Sequence, residues 1–386
     1  MTAASILYLF LLFFGLRKKK DGDGLSRRDT EALRGFFSLY ILLVHAPDAY
    51  SYLNGAYRTS FEPFVYQGHL AVGVFFALSG FGLALSARWG LAGFIRKRVR
   101  AVLLPYVLAN LVFFAFFQIS GRAVTPAGMF LSCFSGDPEL TYSWYIVTQC
   151  LFYAFFYIIF RGFEKMKTRL LVLFLTILCY MLFFPAVGWP YVTARGALAF
   201  VFGVYAGTEG LRLTGGGVPR PAEGKTPVEG AAPAEGKIPA GGMDPVEGSF
   251  PDPDRRAAKK RLFRTGSAFF ISYILYLAFP FLKEHPVLDF SSVLFAASLF
   301  LSARFFTLDS RLFRFLGSIS LEIYLYQGLA FAAVKRIMER LGTNRESVYV
   351  LCSILLAVGA ALFFHFLYAG VLWLVDKSAI FSKAGR

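Results

Sequence analysis

The sequence predicts an all-α fold, a polytopic transmembrane helical bundle of about ten spans behind a short N-terminal apolar segment. Three observations predict it. Hydrophobic residues make up 56% of the 386-residue chain, with 45 Phe, and mean hydropathy is +0.56; a soluble core of this length cannot hide so much apolar surface. The apolar residues gather in windows of roughly 19 residues, the length a helix needs to cross lipid while satisfying its own backbone. Basic clusters fall in alternate loops. The formal charge of +16 therefore reads as positive-inside topology, and nucleic acid is not an expected partner.

Taken in order, the chain opens on an apolar stretch, Ala3 to Leu16. It is shorter than a normal span and its basic residues follow it, the reverse of a cleavable signal peptide. A short span or an interfacial helix fits, and with the basic stretch after it this makes a first region, 1–28. Six spans follow within 29–210: Leu33–Leu53, Leu70–Ala87, Ala101–Ile119, Trp144–Phe160, Leu170–Val187 and a short, Gly-rich Gly196–Thr208. Four more fall within 265–376: Ser267–Phe281, Ser291–Phe306, Phe315–Val334 and Ser347–Val375. The basic loops Arg17–Lys20, Arg96–Arg100, Arg161–Arg169 and Arg311–Arg314 mark one side, which the positive-inside rule makes cytoplasmic. Lys335, Arg336, Arg340 and Arg345 are an exception on the outer side. Between the two groups of spans, 211–264 is rich in Pro, Gly, Ala and Glu. It is expected to be a disordered cytoplasmic linker whose basic end rests on membrane lipids. Residues 377–386 form a cytoplasmic tail. The four Cys show no paired spacing, and no metal-ligand or phosphate-loop motif is present.

Two polar residues in the first span need a reason, because charge is expensive in lipid. Eleven residues at helical pitch turn through about three turns plus roughly 20°, so Arg34 and His45 share one face about 16 Å apart along the axis. They would hold the two ends of one elongated ligand, with an anion at Arg34 and a reacting atom at His45. His is the usual general base near neutral pH. Asp48, three residues on, would accept the second imidazole N–H and fix the tautomer. The plain alternatives are a span-end His and a snorkelling Arg. Arg96, Lys97, Arg98 and Arg100 set topology, and would also suit a polyphosphate. Gly73, Ala77 and Gly80 in the second span read first as close helix packing. Glu322 in the ninth span must face the bundle interior or a wet cavity. His69 stands at the outer end of the second span, within reach of His45. His365 reads as structural.

These segments together resemble the acyltransferase-3 family of integral membrane acyltransferases. The Arg, ten residues and His of that family match Arg34 and His45, opened by Glu31-Ala32-Leu33-Arg34-Gly35. Gly73 to Phe81 resembles its Gly-Val-x-x-Phe-Phe-x-Leu-Ser-Gly-Phe block, with one residue fewer before the two Phe. Arg96 to Tyr106, Trp144-Tyr145-Ile146 and Leu316 to Leu325 match further blocks, in order along the chain. Two positions depart from the pattern. Gln327 stands where a His is usual, and Lys97-Arg98-Val99-Arg100 replaces a simple Arg-x-x-Arg.

The resemblance implies transfer of a short acyl group, acetyl first, from cytoplasmic acyl-CoA to a hydroxyl of an envelope glycan or lipid-linked sugar, in a bacterial plasma membrane and without a metal. Arg34 and the Arg96–Arg100 patch would hold CoA phosphates, and His45 would act as base or nucleophile. Ser79, Trp144 or Gln327 would donate to the carbonyl oxygen in the transition state. The alternative is a non-catalytic transporter or flippase of a lipid-linked sugar or anion, which a basic cavity would also serve. No internal repeat among the spans supports it. The sequence does not specify an oligomeric state.

Overall fold

The computed structural model describes residues 15–19, 25–54, 67–88, 90–208, 253–278 and 290–384. Among these residues the protein is helical apart from turns and one small strand pair. Helix α1 is Arg27–Asn54, α2 is Gly68–Ala87 and α3 is Phe94–Ile119. A short α4, Pro126–Ser132, leads into α5, Trp144–Gly162. Then come α6, Met166–Ala186, α7, Leu198–Thr208, and α8, Pro253–Ala278. The chain continues through α9, Ser291–Ser302, α10, Arg311–Ser318, α11, Ser320–Leu341, and α12, Glu346–Ala384. Strand β1, Leu16–Lys18, pairs antiparallel with β2, Phe306–Leu308.

Among the described residues five helices, α2, α3, α5, α6 and the Glu346–Trp373 part of α12, are long and apolar enough to cross a membrane. They present large apolar side chains outward, such as Phe183 at 59% and Phe363 at 63% exposure. Such surfaces are stable against lipid and costly in water. The chain is an all-α membrane protein.

Several predicted boundaries are corrected. The eighth predicted span stops at Ser302, because the chain turns there to supply β2. The ninth is broken at Ile319, which leaves helical geometry at φ −112° and ψ 18°, and its second half runs on to Leu341, where Gly342 closes it at φ 62°. The sixth keeps only 11 residues, about 16 Å of helix. Helix α8 begins at Pro253, so 253–264 of the expected linker is helical; Ala257, Ala258, Lys259 and Lys260 are good helix formers. Helix α12 continues to Ala384 through the expected tail. Residues 3–14 and 211–252 lie outside the described residues.

Helix α1 starts on a reciprocal cap. The Asp29 backbone N–H donates to Ser26 Oγ, and the Ser26 N–H to Asp29 Oδ2. Its interior is apolar, and it packs against α2, α10, α11 and α12. The α1–α10 contact is backbone on backbone. A Cβ on Gly35 would lie 1.8 Å from the Phe313 carbonyl oxygen, and one on Gly317 1.9 Å from that of Glu31. Helix α2 meets α7 the same way, with Gly80 on Phe200 and Gly203 on Ala77. The small residues read from the second span thus serve helix packing. Helices α1, α2, α5 and α11 and the start of α3 surround the site.

Candidate active site

A cavity of about 630 Å³ opens beside the N-terminal end of α1. One wall is α1, with Arg34, Ser38 and Ile41, and another is α2, with Leu78 and Ser79. Helix α5 contributes Tyr145, Gln149 and Tyr153, four residues apart and so on one helical face. Arg98 enters from α3, where Val99–Leu103 forms a π-helical turn. A π turn offsets the register of the residues around it. Of the basic run, Arg98 alone is part of the cavity wall.

The cavity is cationic without internal compensation. The Arg98 guanidinium lies over the rings of Phe94 and Tyr153, at 5.6 and 5.4 Å from their centroids. Neither Arg34 nor Arg98 has a carboxylate partner among the described residues. Glu31, at the mouth, is paired with Arg27 at 2.9 Å. Two uncompensated guanidinium groups facing one cleft favour an anionic ligand, bound through charge-assisted hydrogen bonds.

His45 lies one helical turn beyond Ile41 and is not part of this cavity's wall. Its Nδ1 is 3.0 Å from Gln327 Oε1. The Gln327 amide nitrogen donates to the Tyr324 carbonyl at 3.0 Å. A carbonyl only accepts, so this bond fixes the amide with its oxygen toward the imidazole. The proton is then on Nδ1, and the lone pair is on Nε2. Nε2 makes no hydrogen bond among the described residues. One face of the imidazole is covered by Tyr142, stacked at 4.0 Å between centroids and 8° between planes. Tyr142 is the only non-glycine described residue with positive φ, at 69°. Its carbonyl accepts the hydroxyl of Tyr324. Such backbone strain persists where surrounding structure enforces it, and it clusters at functional sites. A neutral, oriented imidazole with one free basic nitrogen can take a proton from a hydroxyl, or attack a carbonyl itself.

Matched against known families, residues 28–367 fit the acyltransferase domain of the acyltransferase-3 family. The chain belongs to that family. No curated protein and no solved structure matches it.

Within this acyltransferase the predicted site residues separate into two groups. Arg34, Ser79 and Arg98 line the cavity, and Ser79 donates to the Tyr153 hydroxyl at 3.2 Å. Gln327, fully buried, is on His45. The other residues lie elsewhere. Asp48 is exposed and does not orient the imidazole; Gln327 from α11 holds that position. His69 faces α8 and α9 instead of His45, 3.2 Å from Ser291 Oγ and near the Tyr273 ring. Trp144 is half-buried at the start of α5, and its neighbour Tyr145 takes the cavity wall. Glu322 pairs with His365 at 2.8 Å, so it is a helix–helix contact between α11 and α12. Arg96 and Lys97 are exposed, and the Arg100 carbonyl accepts the Tyr368 hydroxyl.

Arg34 lines the cavity and His45 does not. Tyr145 and Tyr324, with ring centroids 5.3 Å apart, line the same cavity. Tyr142, Tyr145, Gln149 and Tyr324 are the functional candidates that sequence reading missed. The spacing of Tyr145, Gln149 and Tyr153 was the available signal, a polar stripe on an otherwise apolar helix.

Proposed function

We propose that this membrane protein transfers an acetyl or other short acyl group from acyl-CoA to a hydroxyl of an envelope carbohydrate, free or lipid-linked. The observation that carries the reading is the imidazole of His45, held in one tautomer by Gln327 with Nε2 free, next to a cationic cavity. In this reading the ten predicted segments all cross a bacterial plasma membrane. Arg34 and Arg98 lie on the cytoplasmic side and hold the phosphates of CoA. The acyl group passes Tyr145 and Tyr324 toward His45. There Nε2 takes the proton of the acceptor hydroxyl as its oxygen attacks the thioester carbonyl. The tetrahedral adduct collapses, the C–S bond breaks, and the CoA thiolate recovers a proton from the imidazolium. An acyl-imidazole intermediate would use the same nitrogen.

The test uses purified protein in detergent with radiolabelled acetyl-CoA, wild type beside His45→Gln. Thioester loss or protein-bound label in the wild type alone supports acyl chemistry at His45, and retained label identifies the covalent route. Equal activity in His45→Gln removes the assignment. Absence of acyl-CoA binding by folded wild type favours a carrier for another anion.

A further inference from the structure

Gln149 is buried in the wall of the cavity, 2% exposed, and half of its amide is unexplained. Its Oε1 accepts the Tyr145 hydroxyl at 3.1 Å. Its Nε2 is shielded from solvent and has no hydrogen-bond partner among the described residues. Turned over, the amide would donate to the Tyr145 hydroxyl oxygen, but it would leave Gln149 Oε1 unpaired and strand the Tyr145 O–H. Tyr145 makes no other hydrogen bond as donor, so its hydroxyl holds the oxygen side, and the nitrogen faces away from it. A buried donor left without an acceptor is costly. Nothing in the packing of α5 requires it, since Leu or Met would fill the same volume. Gln149 lines a ligand-sized cavity, and a small turn of its side chain there would bring this donor to an acceptor on a ligand.

We propose that Gln149 Nε2 donates to an amide carbonyl of the pantetheine arm of the acyl donor. This rests on the acyl-CoA reading above. Gln149 sits one helical turn, about 6 Å, deeper along α5 than Tyr153, whose ring carries the Arg98 guanidinium. A ligand with phosphates at Arg98 therefore presents at Gln149 the chain that leads from them toward the thioester. The surroundings at that level are apolar, with Leu78 and Ile146 on the wall. An amide carbonyl is the acceptor such a chain carries. Tyr145 is a positioning residue in this arrangement, because its hydroxyl orients the amide. The site selects a donor bearing a correctly placed carbonyl over a bare acyl phosphate or a simple alkyl thioester.

Two ligands separate this contact from a phosphate contact. Acetyl-CoA carries both features, whereas adenosine 3′,5′-bisphosphate has the phosphates without the arm. Equilibrium binding of each is measured on the full-length protein in detergent, for wild type, Gln149→Met and the double variant Tyr145→Phe/Gln149→Met. The double variant leaves no stranded hydroxyl and serves if the single one does not fold. The expected result is an acetyl-CoA Kd raised about tenfold, with unchanged affinity for the bisphosphate. Unchanged acetyl-CoA affinity overturns the proposal, and so does a parallel loss for both ligands. Failure of the functional reading looks different: the wild type itself binds no acetyl-CoA, and both ideas fall together.

Discussion

Gln327 Oε1 sits 3.0 Å from Nδ1 of His45, joining residues 282 positions apart. The pair has the geometry of the carboxylate and imidazole in a catalytic triad, with one difference. A neutral amide fixes the tautomer and the ring orientation, but it adds no negative charge to stabilise an imidazolium. The non-ionisable residue at a position where the family usually has His is therefore compatible with base chemistry at His45. In the proposed mechanism the ionisable role falls to His45 alone.

Removing that partner should damage turnover more than binding. Gln327→Leu frees the imidazole to take either tautomer and to rotate. Acyl transfer by this variant should fall on the order of a hundredfold in kcat, with KM for acyl-CoA unchanged. Steady-state kinetics with radiolabelled donor read both. A rise in KM with kcat preserved would move Gln327 out of this role.

The cationic cavity predicts the opposite split. Arg34→Gln and Arg98→Gln should each raise the KM or Kd for acyl-CoA by about ten- to a hundredfold, as expected for a charge-assisted hydrogen bond. Arg96→Gln and Lys97→Gln, on exposed side chains, should change it by no more than about twofold. Equal effects at all four positions would show a diffuse electrostatic field instead of a site at Arg98.

Stability should depend on pH through Asp29, which lies before the first predicted span. Burial pushes its carboxyl up, and hydrogen bonds from Lys19, Thr307 and Ser26 outweigh that, holding it below the ordinary 3.8. The folded state thus binds this proton less tightly than the unfolded chain. The stabilisation is full above about pH 5 and is lost as pH falls through 3.8 toward the lower folded value. Melting temperature between pH 7 and 3 should show this loss. Asp29→Asn should start about 1–3 kcal/mol less stable at neutral pH and respond less to acid. Parallel curves would exclude Asp29 as the group.

The contact between α1 and α10 should tolerate no side chain. Gly35→Ala places a Cβ inside the Phe313 carbonyl and should cost about 3 kcal/mol or more, since the backbones must separate. Gly359→Ala on α12, with open space around it, should be neutral or gain up to about 1 kcal/mol. Thermal unfolding in detergent compares them. A tolerated Gly35→Ala would mean that the two helices sit farther apart.

Periodicity and hydropathy made the helices legible because each is a local property. The phase of Arg34 and His45 was legible for the same reason. The breaks were harder to read. Nothing in Leu316-Gly317-Ser318-Ile319 forces a helix to stop, and the break coincides with Gly317 pressing on the α1 backbone. Asp48 looked like the imidazole's partner because it is three residues away, and the real partner comes from α11. The choice of Arg98 from four basic residues depends on a π turn that no propensity reveals. Gln149 was legible as part of a stripe, but its empty donor shows only when the surrounding chain is folded.

The glycine contacts have one more consequence. With Gly35 and Gly317 in backbone contact, α1 can neither slide along α10 nor rotate against it without collision. Helix α2 is likewise locked to α7 by Gly80 and Gly203. The helices carrying Arg34, His45 and Ser79 are therefore each held by a close backbone contact. If the acyl group moves from Arg34 toward His45 as proposed, the wall facing those helices is built from side chains, among them Tyr145 and Tyr324 on α5 and α11. In the proposed reaction the two rings, which can turn without moving a helix, would be the parts that yield.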